Sequence, residues 1–345
     1  MIPIQNIYYM LSYAFQVLNE QCYKNIATEQ FNNTGELMAA ILEKGIAIQI
    51  KRGLGKEYIL QTEALSSLRG KIDIAESIKT QSMLRKQLIC TYDEFSVNSI
   101  MNRIIKSTVE LLLRSNISKQ RKKNLRKLMV YFSEVDFIDL YTVNWNVQYN
   151  RNNQTYRMLI SICYLVVKGL LQTQSNGHTK LMDFLDEQRM CRLYEKFILE
   201  YYRREFKNQI TANASQIPWQ LDNEENSMLP VMQSDIMLQS GEKVLIIDAK
   251  YYEHSTQVQF DKHTLHSGNL YQIFTYVKNK EYELREKDHT VSGMLLYAKT
   301  DEEIYPNNVY QMSGNQITVR TLGLNLPFDE IAGQLNTIAK THFDL

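Results

Sequence analysis

The segment Lys243-Val-Leu-Ile-Ile-Asp-Ala-Lys250 constrains this chain more than any other. Four consecutive aliphatic residues, Val244 to Ile247, read as a strand buried on both faces, and such strands belong to sheets covered by helices. The run then ends on an acid and a lysine. Alternation along a strand puts Asp248 and Lys250 on one face, with Ala249 opposite. Charges at the end of a buried strand are costly unless they meet partners. Just upstream, VMQSDIML (231–238) is a second apolar run, and the turn residues QSGE between the two predict a hairpin. That hairpin brings Asp235 beside Asp248.

Two neighbouring carboxylates repel each other. A hard divalent cation between them removes the conflict, and Mg²⁺ is typically held by one or two carboxylates plus water and phosphate oxygens. Lys250 then orients or deprotonates a water, or steadies charge on a phosphorane-like transition state. The competing reading is a plain salt bridge at a strand end, which is what an arbitrary D-x-K usually is. Residues 266–280 predict a helix starting at Ser267 or Asn269, with Gln272 and Tyr276 four apart on one face. The helix of 187–207 has Leu193, Phe197 and Tyr201 as its core stripe, flanked by Glu195 and Glu200. Glu195 is the preferred candidate to reach the metal or its water shell.

The rest of the chain supplies context. Helices are expected at 3–20, 35–50, 102–115, 119–132, 156–172 and 328–341, with strands at 143–149, 293–299 and 317–324. Residues 46–75, broken by Gly53, Gly55 and Gly70, read as short strands with tight turns. The fold class is α/β (α+β), with a mixed helical and β-rich part over 1–150 and an α/β core over 151–345. The formal charge of +1 conceals an asymmetry: residues 1–150 carry 19 basic and 14 acidic side chains, while 151–345 carry 20 and 24. The total is therefore no argument against a nucleic-acid partner. Arg114 to Lys127 holds seven cations and no acid, and suits either a phosphate backbone, a solvated face or an acidic partner.

Several chemistries are excluded. There is no G-x-x-x-x-G-K-[ST] loop, so nucleoside triphosphate hydrolysis by this chain is not expected. His178, His254, His263, His266, His289 and His342 show no metal-ligand spacing, and no G-x-S-x-G or Cys–His arrangement suggests a covalent nucleophile. Cys22, Cys90, Cys163 and Cys191 form no C-x-x-C pair, which points to a reduced, cytoplasmic setting. The N-terminal MIPIQNIYYMLSYAF lacks the features of a signal peptide, and the apolar run Met158–Val167 is too short to span a bilayer, so no membrane is expected.

IPIQNIYYMLSYAF at the start, NRIIKST at 102–108, and SDIML, VLIIDAKYY and NLYQIFTYV in the second half resemble the McrC family, in that family's order and over essentially the whole chain. These are nuclease subunits of modification-dependent restriction systems. The second half also resembles the PD-(D/E)xK nuclease superfamily, with Asp235 and Asp248 as its acids, Lys250 as its lysine, and Gln272 and Tyr276 as the Q-x-x-x-Y element of some branches. Ser234 stands where that superfamily usually has proline. The resemblance implies a Mg²⁺-dependent endonuclease (Mn²⁺ as substitute) using Asp235, Asp248 and the Ala249 carbonyl, with Glu195 as a further ligand. It implies a docking half over 1–150, with 46–75 as the finger, and a cutting half over 151–345. It also implies a hexameric AAA+ GTPase partner, McrB-like, which uses the GTP, recognises modified cytosine in double-stranded DNA and is stimulated by this subunit. Two rivals stay open: an assembly subunit with a vestigial nuclease centre, and a stand-alone nuclease of the same superfamily.

Overall fold

The computed structural model describes residues 2–15, 18, 23, 26, 29, 31, 33–151, 153–175, 187–223, 228–251, 257–259, 262–299 and 305–345. Cys22, His178, His254 and part of the polar stretch 220–227 lie outside them. In chain order, α1 (Ile4–Ala14) is followed by α2 (Thr34–Arg52), β1 (Glu57–Leu65), β2 (Lys71–Asp73), α3 (Ile74–Lys79), β3 (Leu88–Ser96), α4 (Ile100–Arg114), α5 (Lys119–Met129) and α6 (Tyr156–Ser175). Then come α7 (Glu187–Glu205), β4 (Thr211–Asn213), β5 (Gln216–Ile217), β6 (Met232–Gln233), β7 (Ile236–Ser240), β8 (Lys243–Lys250), β9 (Gln257–Gln259) and β10 (Lys262–Thr264). The chain closes with α8 (Ser267–Glu283), β11 (Thr290–Ala298), β12 (Asn308–Met312), β13 (Asn315–Leu322) and α9 (Phe328–Phe343).

Two compact units result, and they do not meet at residue 150. One is Thr28–Phe184; the other joins Met1–Ala27 to Leu185–Leu345. The reason lies in α1. Its apolar stripe, Ile7, Tyr8 and Leu11, is buried. Tyr13 packs on Phe197 and Tyr201 of α7, and Tyr9 stacks on Phe328 with ring centroids 4.4 Å apart. Asn6, itself buried, donates to the carbonyls of Leu324 and Leu326 at 2.8 and 2.7 Å. A buried amide satisfied by distant backbone ties the first helix to the last third of the chain.

In the Thr28–Phe184 unit, helices α2, α4, α5 and α6 pack together beside a three-stranded antiparallel sheet of order β1-β3-β2. Residues 46–52, expected as strand, are the last turns of α2. The alternating Ile46, Ile48 and Ile50 imitate a strand, yet burial follows the helical spacing of Leu42, Ile46 and Gln49. Asn33 caps the helix by accepting from the Glu36 amide, and Gly53 ends it at φ +91°. The β-rich part thus starts at Glu57 and runs to Ser96. The strand expected at 143–149 is irregular backbone.

The other unit is built on a sheet of order β12-β13-β11-β8-β7-β4. β11 runs parallel to both β8 and β13, and β7–β8, β4–β7 and β12–β13 are antiparallel. This is the mixed α/β arrangement expected, with β8 central and buried along its length. The β7–β8 hairpin closes over Gly241, whose φ of +56° a side chain would strain. Val244 and Ile246 of β8 join Ile273 and Val277 of α8 in one apolar cluster.

Candidate active site

The alternation that puts Val244 and Ile246 against α8 carries on to Asp248 and Lys250. The apolar row therefore ends in an acid and a lysine facing the same helix. Asp248 is only 1% exposed. Lys250 Nζ lies 2.9 Å from Asp248 Oδ2 and donates to Gln272 Oε1 at 3.1 Å. Gln272 Nε2 in turn donates to the Tyr276 hydroxyl at 2.9 Å. Gln272 and Tyr276 are one helical turn apart on α8, so strand and helix are joined by a continuous polar chain: Asp248, Lys250, Gln272, Tyr276.

Asp235 enters from the hairpin. Ile236 pairs with Ile247, and Asp235, one residue before Ile236, accepts at Oδ2 from the amide of Ala249, two residues after Ile247, at 2.9 Å. Ser234, which stands before this acid, fixes the bend between β6 and β7. Its amide and hydroxyl both donate to the Ser215 carbonyl, at 3.0 and 3.1 Å.

Burial pushes the Asp248 carboxyl up to about 7; Lys250 opposes the rise and Asp235 adds to it. Asp248 Oδ2 is buried and accepts no aligned hydrogen bond, despite the nearby ammonium. Glu195 of α7 is raised above the usual carboxylate range by burial and by Asp235, while Lys250 and Arg192 oppose the rise, so it stands within electrostatic reach of Asp235 and Lys250. Its Oε1 accepts from the Cys191 thiol at 3.0 Å. Cys191 Sγ also faces the Ala249 carbonyl at 3.9 Å. Burial and Glu195 push this thiol up to about 12, so it is a donor at neutral pH.

The seven residues singled out in the sequence thus fall into one region of one unit: Asp235, Asp248, Ala249, Lys250, Gln272 and Tyr276 through direct contacts, Glu195 through Cys191. Cys191 was not singled out. Its spacing of four from Glu195 on α7 was the available signal, but its approach to Ala249 depends on how α7 packs against β8. Among the described residues, no group of three or more His, Cys, Asp and Glu side chains is arranged to hold a metal. The helix start expected at Ser267 or Asn269 has His266 at its cap, and buried Asn269 donates to the Tyr297 hydroxyl at 3.0 Å. No helix among the described residues is long and apolar enough to cross a membrane.

The type IV methyl-directed restriction enzyme EcoKMcrBC of Escherichia coli (strain K12) is 30% identical over 329 residues, 94% of this chain and 93% of that protein. Among solved structures, the half-complex of Thermococcus gammatolerans McrB AAA+ hexamers with bound McrC is 17% identical. It covers 97% of this chain and 76% of that one, with a TM-score of 0.47. The Thermococcus gammatolerans McrBC complex is 20% identical over 59% of each chain, with a TM-score of 0.42. The family described as McrBC 5-methylcytosine restriction system component matches residues 5–298, a span that takes in every residue of the site, and to that family this chain belongs.

Proposed function

We propose that this chain is the DNA-cutting subunit of a methylcytosine-directed restriction complex, hydrolysing phosphodiester bonds at the end of β8. The observation that carries the reading is the buried pair Asp248–Lys250, linked to Gln272 and Tyr276 on one side and braced by Asp235 on the other. A structural salt bridge needs only one acid and one base. Here two acids, a lysine, an amide and a phenol converge.

The donor set fits a hard cation. Asp235, Asp248 and the Ala249 carbonyl would hold Mg²⁺, with Mn²⁺ as substitute, and water and phosphate oxygens would fill the remaining positions. Glu195, whose Oε1 accepts from Cys191, would be a further ligand or would hold the water shell of the metal. When bound, the cation supplies Lewis-acid stabilisation of the charge that builds on the phosphoryl oxygens. The residues of this chain do the rest. Lys250 holds the attacking water and offsets developing negative charge. Gln272 fixes Lys250 through its carbonyl oxygen. Tyr276 holds the Gln272 amide, so that the lysine meets the scissile phosphate in one orientation.

The same proposal assigns the partner. The family is defined by a multicomponent restriction system, and the sequence lacks a phosphate-binding P-loop. A McrB-like hexameric AAA+ GTPase therefore supplies GTP hydrolysis and recognition of methylated double-stranded DNA. The three-stranded sheet of residues 57–96 is the docking finger; it leaves Tyr58, Leu60 and Phe95 exposed. The test is cleavage of methylcytosine-containing DNA with chain, GTPase, GTP and Mg²⁺, omitting one at a time. Cutting only in the full mixture supports the reading. Cutting by the chain without the GTPase identifies a stand-alone nuclease, and no cutting in any mixture identifies an assembly subunit.

A further inference from the structure

The basic helix α5 takes no part in the site above, and it has two unlike faces. At 3.6 residues per turn, Arg121, Asn124, Leu125 and Leu128 fall within about 100° of arc. This arc packs inward. Leu125 is fully buried, Arg121 meets the carboxylates of Glu29, Glu36 and Glu43, and Asn124 donates to Glu43 at 2.9 Å. Lys119, Lys122, Lys123, Arg126 and Lys127 fill an opposite arc of about 140°. Four of these are exposed and Lys122 is half-buried. Among the described residues, none of the five side chains makes an ion pair or hydrogen bond.

An ordinary solvated helix face mixes both signs at spacings of three and four. Here the three acids converge on Arg121, and no acid occurs in the sequence between Glu110 and Glu134. Like charges three and four apart destabilise a helix, so this face favours a bound polyanion. The spacing points to which one. Lys119, Lys123 and Lys127 follow each other by four residues, a rise of about 6 Å per step. Two nucleotide steps along one strand of duplex DNA rise about 7 Å. The arc carries no large apolar side chain, and protein interfaces are depleted of lysine at their centres. Phosphate contacts recruit just such residues.

We propose that the outer face of α5 is a sequence-independent docking surface for the phosphate backbone of double-stranded DNA. The choice of DNA among polyanions rests on the nuclease reading above. The surface holds the duplex by charge and spacing, without reading bases, and its affinity falls steeply with salt.

The test is binding of the full-length chain to a short unmodified duplex, followed by fluorescence anisotropy across a salt series. The combined variant Lys119→Gln, Lys123→Gln and Lys127→Gln should lower the slope of log K against log salt by about 2 to 3, at about 0.9 for each phosphate that is no longer neutralised. Its affinity at low salt should fall at least tenfold, with Tm unchanged or slightly raised, because these side chains have no partner in the fold and their mutual repulsion is relieved. The corresponding Lys→Arg variant should bind as the parent does. An unchanged slope in the Gln variant overturns the proposal, as does intact DNA binding with lost binding of the GTPase, which would assign the face to a protein. Asp248→Ala, measured alongside, should keep the slope and lose cleavage. If Asp248→Ala still cuts, the nuclease reading fails while the salt slope still decides the role of α5.

Discussion

Lys250 Nζ lies 2.9 Å from Asp248 Oδ2 on the same face of β8 while donating to Gln272 Oε1 on α8. One ammonium thus ties a buried acid to a helix that faces it. The relationship has energetic consequences, because Asp248 has almost no solvent to fall back on.

The first consequence concerns coupling. Lys250→Met keeps the length of the side chain and removes its charge, leaving the Asp248 carboxyl buried without its counter-ion. Above about pH 8, where Asp248 is ionised beside Lys250, a cost of about 3 kcal/mol is expected for breaking a buried pair from one side. Asp248→Asn added to that variant should recover most of it, since no charge is then left. Urea unfolding of the two single variants and the double variant measures the coupling, and additive effects would show that the pair is not coupled in the fold.

The second concerns pH. Asp248 ionises near 7 in the folded chain, against the ordinary carboxylate value of 3.8. A raised folded-state pKa favours the protonated form, so the stability that it contributes is fully present below about 4 and is lost as pH rises through about 7. Metal-free protein should therefore lose Tm between pH 5 and pH 8 more steeply than Asp248→Asn. Parallel pH profiles of Tm in the two proteins would contradict the assignment.

The third concerns the platform under the site. A Cβ on Gly293 of β11 would come within 2.8 Å of Ile273 Cγ1 and Val277 Cγ2 of α8, and within 2.9 Å of Ile317 Cδ1. Gly293→Ala should push on the helix that carries Gln272 and Tyr276. Overpacking of this kind costs about 1–3 kcal/mol. Cleavage should fall further than stability alone accounts for, which activity measured well below the Tm will show.

The fourth concerns the helix contribution. Gln272→Ala removes the acceptor that steers Lys250. Hydrogen bonds to charged groups contribute about 1.5–3 kcal/mol, so kcat should drop by roughly ten- to a hundredfold. Tyr276→Phe removes only a support of Gln272 and should have the smaller effect. The reverse order would place Tyr276, not Lys250 and Gln272, at the scissile phosphate.

The legible part of this chain was the part encoded locally. The aliphatic run before Asp248, the glycine turn and the period of two disclose the β7–β8 hairpin, and with it the juxtaposition of Asp235 and Asp248. The four-residue spacing of Gln272 and Tyr276 discloses their shared face, though not that this face meets Lys250. What stayed hidden is non-local. Asn6 reaches the carbonyls of Leu324 and Leu326, more than three hundred residues on, so the discontinuous unit leaves no mark in composition. Cys191 contacts Glu195 within its own helix but meets Ala249 only through tertiary packing. Ile46, Ile48 and Ile50 misled in the other direction, since β-branched alternation imitates a strand where Asn33 and Gly53 cap a helix.

Whether the β8 end cuts DNA is decided by cleavage with the Asp248→Ala variant. The variant is to be assembled with the GTPase, GTP, Mg²⁺ and methylated DNA, with GTP turnover recorded in the same mixture. Cleavage should fall to background with stimulated GTP hydrolysis retained. Full cleavage by Asp248→Ala would contradict it.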